Sequence, residues 1–158
     1  MICPINILLV EDDRNDALLL KLAFGQAGPD DRLLFVSDGR QAIDYLAGKP
    51  PFDNRALHPF PDLLVLDLKM PGLTGFDVLQ WARQHPNLKP TVVAVLSGSN
   101  WRAEIDQAYA LGADFYVTKP LDFERLVGVA ERLKQKCSSL PPPPPVFSSP
   151  QSRARPGL

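Results

Sequence analysis

Short apolar segments alternate with helical patterns along this chain, and that alternation constrains the fold more than any other feature. The first, third and fourth segments are almost uninterrupted, which is typical of strands covered on both faces of a parallel sheet. The predicted strands are Ile5–Val10, Arg32–Val36, Leu63–Leu66, Thr91–Leu96 and Asp114–Thr118. The predicted helices are Asn15–Gln26, Arg40–Ala47, Gly75–His85, Arg102–Leu111 and Phe123–Lys136. Repeated strand–helix alternation favours an α/β fold with a parallel sheet and right-handed crossovers.

The ends of the predicted helices carry residues that commonly begin or end helices. Glycine and proline are expected just after a helix, and a short acidic residue just before one. The expected end signals are Gly28-Pro29, Gly48, Pro86 and Gly112, and the expected N-caps are Asp13 and Asp122.

The composition argues against two classes of protein. The chain has 158 residues, 45% of them hydrophobic, which suits one domain with an ordinary core. A net charge of −1 without a basic stripe argues against nucleic-acid binding. No apolar run approaches the roughly 18 residues of a membrane span, and the N-terminus does not resemble a secretory signal. We therefore expect a cytoplasmic protein that binds neither nucleic acid nor membrane. Cys3 and Cys137 are expected to be free thiols, with a disulfide as the alternative.

Two segments depart from the compact pattern. Residues 48–61 form a proline-containing connection that is longer than most in α/β units. After Cys137 the sequence becomes rich in proline and serine, with an uninterrupted run at Pro141–Pro145. We expect a domain over residues 1–137 and a disordered or polyproline II tail over residues 138–158. The alternative for the proline run is a ligand for an aromatic-lined groove.

Charged and hydroxyl side chains follow the predicted strands where each strand ends. Glu11 and Asp12 follow the first strand, Asp67 the third, Ser97 the fourth and Lys119 the fifth. The carboxyl ends of parallel strands lie at one edge, where ligands of open α/β sheets bind. Clustered carboxylates repel one another unless a cation lies between them, and Mg²⁺ prefers such oxygen ligands and leaves room for a phosphoryl oxygen. A lysine and a hydroxyl suit the stabilisation of a phosphoryl group, and an aspartate can accept it as an acyl phosphate.

Four motifs in order resemble the receiver domain of bacterial two-component response regulators. They are "ILLVEDD" from residue 7, "LVLDLKMPGLTGFDVL" from residue 64, "VLSGS" from residue 95 and "GADFYVTKPL" from residue 112. The resemblance extends from about Asn6 to Leu133. It implies a doubly wound, flavodoxin-like sheet of five parallel strands in the order 2-1-3-4-5, with five helices.

The same resemblance implies a role for each acidic residue. Asp67 corresponds to the residue that accepts a phosphoryl group from a sensor histidine kinase. Glu11 and Asp12 correspond to the acidic pair that holds Mg²⁺ together with Asp67. The backbone carbonyl of Lys69 is implied as a further metal ligand.

Ser97 and Lys119 correspond to the residues that contact the phosphoryl oxygens. Tyr116 corresponds to an aromatic residue that reorients when Ser97 moves, and core packing is the alternative role. The Lys119-Pro120 peptide bond is expected to be cis by the same resemblance.

The sequence favours a single-domain receiver that passes its signal to a partner through its own surface. That partner is an unidentified target protein or a second copy of the chain, and the surface is expected at the fourth helix and fifth strand. One alternative is a receiver-fold scaffold that is never phosphorylated. A hydrolase with an aspartate nucleophile is disfavoured by Lys69, because such enzymes often have an acidic residue there. A nucleotide or flavin module is also disfavoured, because such a module needs a Gly-rich loop and this chain has an acidic segment after its first strand instead.

Two further interpretations concern single residues near the site. The resemblance implies that Lys69 and Ser99, each two positions after a site residue, influence how long the phosphoryl group persists. Lys69 has no acceptor with which to orient water, so slow to moderate autodephosphorylation is expected. Trp101 is either an exposed partner contact or a cover for the fourth helix.

Overall fold

A sheet of five parallel strands with helices on both faces forms the framework of the protein. The computed structural model describes residues 3–139. The strands are β1 (Asn6–Val10), β2 (Arg32–Val36), β3 (Leu63–Leu66), β4 (Val92–Ser97) and β5 (Phe115–Thr118). The helices are α1 (Arg14–Ala27), α2 (Gly39–Ala47), α3 (Gly75–Arg83), α4 (Arg102–Ala110) and α5 (Phe123–Ser139). The strand order is β2-β1-β3-β4-β5, so the predicted doubly wound, flavodoxin-like topology is confirmed.

Alternate residues of the strands point into two separate cores, which explains why these strands are apolar throughout. Leu8 of β1 and Leu64 of β3 face α2, α3 and α4 on one side. Ile7 and Leu63 face α1 and α5 on the other. Because the central strands are covered on both faces, polar residues can occur only where those strands end.

One difference from the sequence prediction lies at the end of α3. This helix ends at Arg83 and not at His85, and a short 3-10 turn that the sequence did not predict follows over Pro86–Leu88. His85 has an extended backbone with φ −107° and ψ 116°. The proline ring that follows disfavours helical backbone at His85, which accounts for the early end.

Most remaining helix boundaries agree with the predictions. The side chains of Asp13 and Asp122 accept hydrogen bonds from Asp16 N at 2.9 Å and Arg125 N at 2.8 Å, so both predicted N-caps are confirmed. Gly48 ends α2 in the left-handed conformation, at φ 74°. α5 extends to Ser139, which is three residues beyond the predicted end at Lys136 and includes the first two residues of the predicted tail. The rest of the predicted tail lies outside the described residues.

The expectation of a cis bond at Lys119-Pro120 is wrong. Among residues 3–139 the cis peptide bond joins Pro50 and Pro51 instead. Trans is the lower-energy isomer of an X-Pro bond by about 0.5–1 kcal/mol, so a trans bond before Pro120 is the ordinary outcome.

The connection over residues 48–61 contains no helix or strand, but its backbone is held by two arginines. Arg55 donates to the carbonyls of Tyr45, Leu46 and His58 at 2.9, 2.8 and 3.2 Å. Arg32 donates to the carbonyls of residues 56 and 57 at 3.1 and 2.7 Å. The long connection is therefore anchored to α2 and β2.

Two bulk predictions can be compared with residues 3–139. Cys3 and Cys137 are both free, as expected. Over the same residues, each helix is too short or too polar to cross a membrane.

Candidate functional site

Three carboxylates meet at the carboxyl edge of the sheet. Glu11 and Asp12 follow β1, and Asp67 follows β3, which is the neighbouring strand. One oxygen from each of the three lies within 4.8 Å of the others. The predicted convergence of these residues is therefore present in the structure.

Burial makes Glu11 an unusual member of this cluster. Only 1% of the residue is exposed, whereas Asp12 is exposed to solvent. Burial raises the pKa of Glu11 from 4.5 to about 7; the hydrogen bond from Lys119 opposes this rise, and the charge of Asp67 adds to it. A positive ion beside Glu11 would stabilise its ionised form.

Lys119 is shared among three carboxylates. Its Nζ donates to Glu11 Oε1 at 2.8 Å and to Asp16 Oδ2 at 2.9 Å, and lies 3.5 Å from Asp67 Oδ2. Burial alone would lower the pKa of Lys119, but the hydrogen bonds to Glu11 and Asp16 more than offset it, so the pKa is raised. Lys119 is therefore a permanent cation at the centre of the acidic cluster.

The turn after Asp67 is fixed by packing below it. Leu68 and Met70 are buried, while Lys69 between them is exposed. A Cβ at Gly75 would collide with the Asp67 carbonyl, so α3 can begin this close to β3 only with glycine there. Lys69 N–H points at Asp67 Oδ1 over 3.5 Å, which is at the limit of a hydrogen bond.

A chain of hydrogen bonds connects the end of β4 with β5. Ser97 Oγ is fully buried and accepts from Ser99 N at 3.2 Å. Tyr116 donates its hydroxyl proton to the Ser99 carbonyl at 2.8 Å, and its own N–H donates to the hydroxyl of Tyr109 on α4 at 3.0 Å. Ser97 and Tyr116 are thus joined through Ser99, and α4 is joined to β5.

The donor set fits a hard divalent cation. Three carboxylates supply the oxygen ligands that Mg²⁺ prefers, and exposed Asp12 leaves an open side for water or a phosphoryl oxygen. Glu11, Asp12 and Asp67 are the residues that could hold the ion. Lys119 could neutralise a phosphoryl oxygen next to it.

Comparison with known proteins assigns the family. The family model of the response regulator receiver domain matches residues 7–131. The chain belongs to the response regulator receiver family. As a receiver, it is a phosphorelay signalling domain of the kind that receives signals from sensor kinases and acts on downstream targets. Receivers are phosphoacceptors with weak autophosphatase activity, and they bind a divalent metal through an acidic cluster.

Three relatives of this receiver span most of its length. Response regulator Rcp1 of Synechocystis is 30% identical over 83% of this chain and 87% of Rcp1, and its Mn²⁺-bound structure superposes with a TM-score of 0.77. The phosphorylated cyanobacterial phytochrome response regulator RcpA is 30% identical, with a TM-score of 0.78, over 87% of this chain and 96% of RcpA. Response regulator RPA3017, in red light signalling of R. palustris, is 35% identical, with a TM-score of 0.78, over 89% of this chain and all (100%) of RPA3017.

Sequence reasoning missed one carboxylate of the receiver site, that of Asp16. This residue lies in the first turn of α1, where an acidic residue is ordinary. The available signal was its spacing, because buried Leu20 lies four residues later on the same face of the helix. Asp16 therefore faces the sheet edge, where it contacts Lys119.

The structure also places Trp101, whose role the sequence left open. Its residue surface is 71% exposed, which contradicts the interpretation that it covers α4. The backbone N–H of Trp101 donates to Ser99 Oγ at 3.2 Å, which ties the residue before α4 to the segment that follows β4.

Proposed function

We propose that this receiver accepts a phosphoryl group on Asp67 from the phosphohistidine of a sensor histidine kinase. The observation that carries the proposal is the contact of Lys119 with both Glu11 and Asp67 beside exposed Asp12. A carboxylate oxygen of Asp67 would form the new P–O bond while the P–N bond of phosphohistidine breaks. The imidazole nitrogen leaves with the electron pair and takes up a proton.

Glu11, Asp12, Asp67 and the Lys69 carbonyl would hold a Mg²⁺ ion. When bound, the ion supplies positive charge to the phosphoryl oxygens. Lys119 would bind another phosphoryl oxygen, because it already lies 3.5 Å from Asp67 Oδ2. Ser97 would donate its hydroxyl to a third oxygen, which balances the negative charge of the group.

The signal would leave through α4 and β5. A phosphoryl group adds about −1.5 to −2 charges at pH 7 beside Ser97. Movement of Ser97 would shift Ser99, whose carbonyl holds Tyr116 at 2.8 Å. Tyr116 in turn contacts Tyr109 of α4, so this pair connects the site with the partner surface. The partner there would be a target protein or a second copy of the receiver, in the cytoplasm.

Phosphoryl incorporation with a matched variant tests the proposal. The protein is incubated with Mg²⁺ and acetyl phosphate, and phosphoprotein is measured by mass spectrometry. Wild type should gain one phosphoryl group, and Asp67→Asn should gain none. Asp62→Asn is the control, because Asp62 lies at the opposite end of β3. An unlabelled wild type would favour the scaffold alternative, and continuous turnover of monoesters would favour the hydrolase.

A second proposal concerns the kinase. RcpA and RPA3017 belong by name to phytochrome and red-light signalling. We propose that the kinase for this receiver is of the phytochrome type. Phosphotransfer from a phytochrome histidine kinase should be at least tenfold faster than from an unrelated histidine kinase, and equal rates would contradict this assignment.

A further inference from the structure

Lys119 is the cation that a phosphoryl group on Asp67 needs, yet its short contacts are with other residues. An ammonium group has three N–H donors. Two of them reach Glu11 and Asp16 at 2.8 and 2.9 Å. The contact with Asp67 is 3.5 Å, which is longer than the roughly 2.7–2.9 Å of a charge-assisted hydrogen bond. Lys119 is thus directed toward Asp16 rather than toward Asp67.

Asp16 is held in place by the start of α1. Asp13 Oδ1 accepts from its N–H at 2.9 Å, which fixes the first turn of the helix. Leu20, one turn later, is buried against the sheet. The Asp16 carboxylate therefore has a fixed approach to Lys119 and is not a freely moving surface charge.

The two short contacts of Lys119 differ in how easily they break. Glu11 has 1% of its side chain exposed, so water cannot replace Lys119 there. Asp16 has 42% exposed, so water can solvate its carboxylate when Lys119 leaves. Exchange of Asp16 for a new anion costs less than exchange of Glu11, which makes Glu11 the fixed contact and Asp16 the replaceable one.

We propose that Asp16 is a positioning residue that holds Lys119 away from Asp67 until a phosphoryl group replaces it. The inference rests on the proposed phosphoryl acceptance at Asp67. Lys119 keeps its contact with Glu11 and exchanges Asp16 for a phosphoryl oxygen. Asp16 therefore weakens phosphoryl binding and favours the unphosphorylated receiver.

Asp13 supplies the control that distinguishes a simple effect of the negative charge of Asp16 from its positioning of Lys119. Asp13 is exposed next to the same turn of the helix, where its side chain caps α1. Asp13→Asn removes the same charge as Asp16→Asn and keeps a good N-cap residue. Asp16→Glu keeps the charge and a carboxylate that can reach Lys119.

Beryllium fluoride, an analogue of the phosphoryl group, serves as the probe, with saturating Mg²⁺ and tryptophan fluorescence as the signal. Asp16→Asn should bind it about fivefold more tightly than wild type. Asp13→Asn and Asp16→Glu should stay within about twofold of wild type. In the absence of beryllium fluoride, Asp16→Asn and Asp13→Asn should bind Mg²⁺ with equal affinities. Mg²⁺ binding depends on the total negative charge near the site and not on the direction of Lys119.

Equal tightening by Asp16→Asn and Asp13→Asn would overturn the inference, and so would weaker binding by Asp16→Asn. Thermal unfolding shows whether each variant is folded. If Asp16→Asn does not fold, the same binding measurement is made on Asp16→Ser, with the same expected result. Failure of the proposed function looks different. In that case wild type and Asp67→Asn respond alike to beryllium fluoride.

Discussion

Lys134 and Lys119 each connect the C-terminal part of the receiver to its N-terminal part, but with different partners. Lys134 lies at the amino ends of the strands, called the amino edge below, and Lys119 lies at their carboxyl ends, the carboxyl edge. At the amino edge, Lys134 Nζ donates to Asp31 Oδ1 at 2.8 Å, and the same oxygen accepts from Ile5 N at 2.9 Å. Only 1% of the Asp31 side chain is exposed. At the carboxyl edge, Lys119 is shared among three carboxylates.

The difference shows how one kind of ion pair can be fixed or exchangeable. At the amino edge Lys134 pairs with the single carboxylate of Asp31, and this carboxylate lies so close to Gly28 that a Cβ there would collide with it. At the carboxyl edge the negative charges outnumber Lys119. A surplus of carboxylates leaves the cation with alternative contacts, which suits a site that must accept a new anion.

Removal of Lys119 should have the largest effect on chemistry. Lys119→Met should slow phosphorylation by acetyl phosphate about a hundredfold, because a preorganised cation is lost from the phosphoryl site. The rate is measured by mass spectrometry over time. Lys134→Met is the matched control, since it removes a lysine 15 positions away in sequence at the other edge. A similar slowing of phosphorylation in both variants would mean that the effect is not specific to the lysine at the carboxyl edge.

Removal of Lys134 should have the largest effect on stability. Lys134→Met leaves Asp31 buried without its cation, which should lower the free energy of unfolding by about 3 kcal/mol. Urea unfolding measures the change. Lys89→Met, at an exposed lysine, should shift it by less than about 0.5 kcal/mol. A loss below about 1 kcal/mol for Lys134→Met would contradict the fixed role of the amino edge.

Cys137 reports on how closed the amino edge is. Its Sγ lies 3.9 Å from the Asp62 carbonyl, and burial raises its pKa to about 12. Because the thiol stays protonated at pH 8, iodoacetamide should modify it roughly thirtyfold more slowly than exposed Cys3. The ratio should shrink as pH rises toward 12 and vanish in urea. Modification rates are measured by peptide mass spectrometry. Equal rates for Cys137 and Cys3 in the folded protein would show that the thiol of Cys137 is accessible and the amino edge is not closed.

The pH dependence of metal binding should reveal the surplus of acid at the carboxyl edge. Since burial raises the pKa of Glu11 to about 7, Mg²⁺ must displace a proton below that pH. Its affinity should fall up to about tenfold for each pH unit below 7 and level off above it. Calorimetry at pH 6, 7 and 8 measures the change. In Glu11→Gln the Mg²⁺ affinity should no longer depend on pH in this range. An unchanged pH dependence in that variant would mean that the proton displaced by Mg²⁺ comes from another group.

Much of this arrangement followed from the periodicity of the sequence. Continuous apolar strands require a sheet covered on both faces, and parallel strands bring Glu11, Asp12, Asp67 and Lys119 to one edge. The structure contains this convergence because it depends on backbone topology, which the order of the elements determines.

The features that sequence reasoning missed depend on where individual side chains point. Asp16 looks like an ordinary first-turn acid until its contact with Lys119 is known. The hydroxyl of Tyr109 and the guanidinium of Arg55 reach backbone groups that no spacing rule connects with them. The peptide bond before Pro120 is trans, although the family resemblance implies a cis bond there.

The contact between Tyr109 and Tyr116 also bears on how the receiver avoids aggregation. β5 is an edge strand, and an unpaired N–H on such an edge is a template for another strand. The Tyr109 hydroxyl occupies the Tyr116 N–H, so α4 shields the middle of this edge. A displacement of α4 would uncover this N–H. The same movement that would transmit a signal thus exposes the sheet to strand addition, which sets a limit on how far and how long α4 can move.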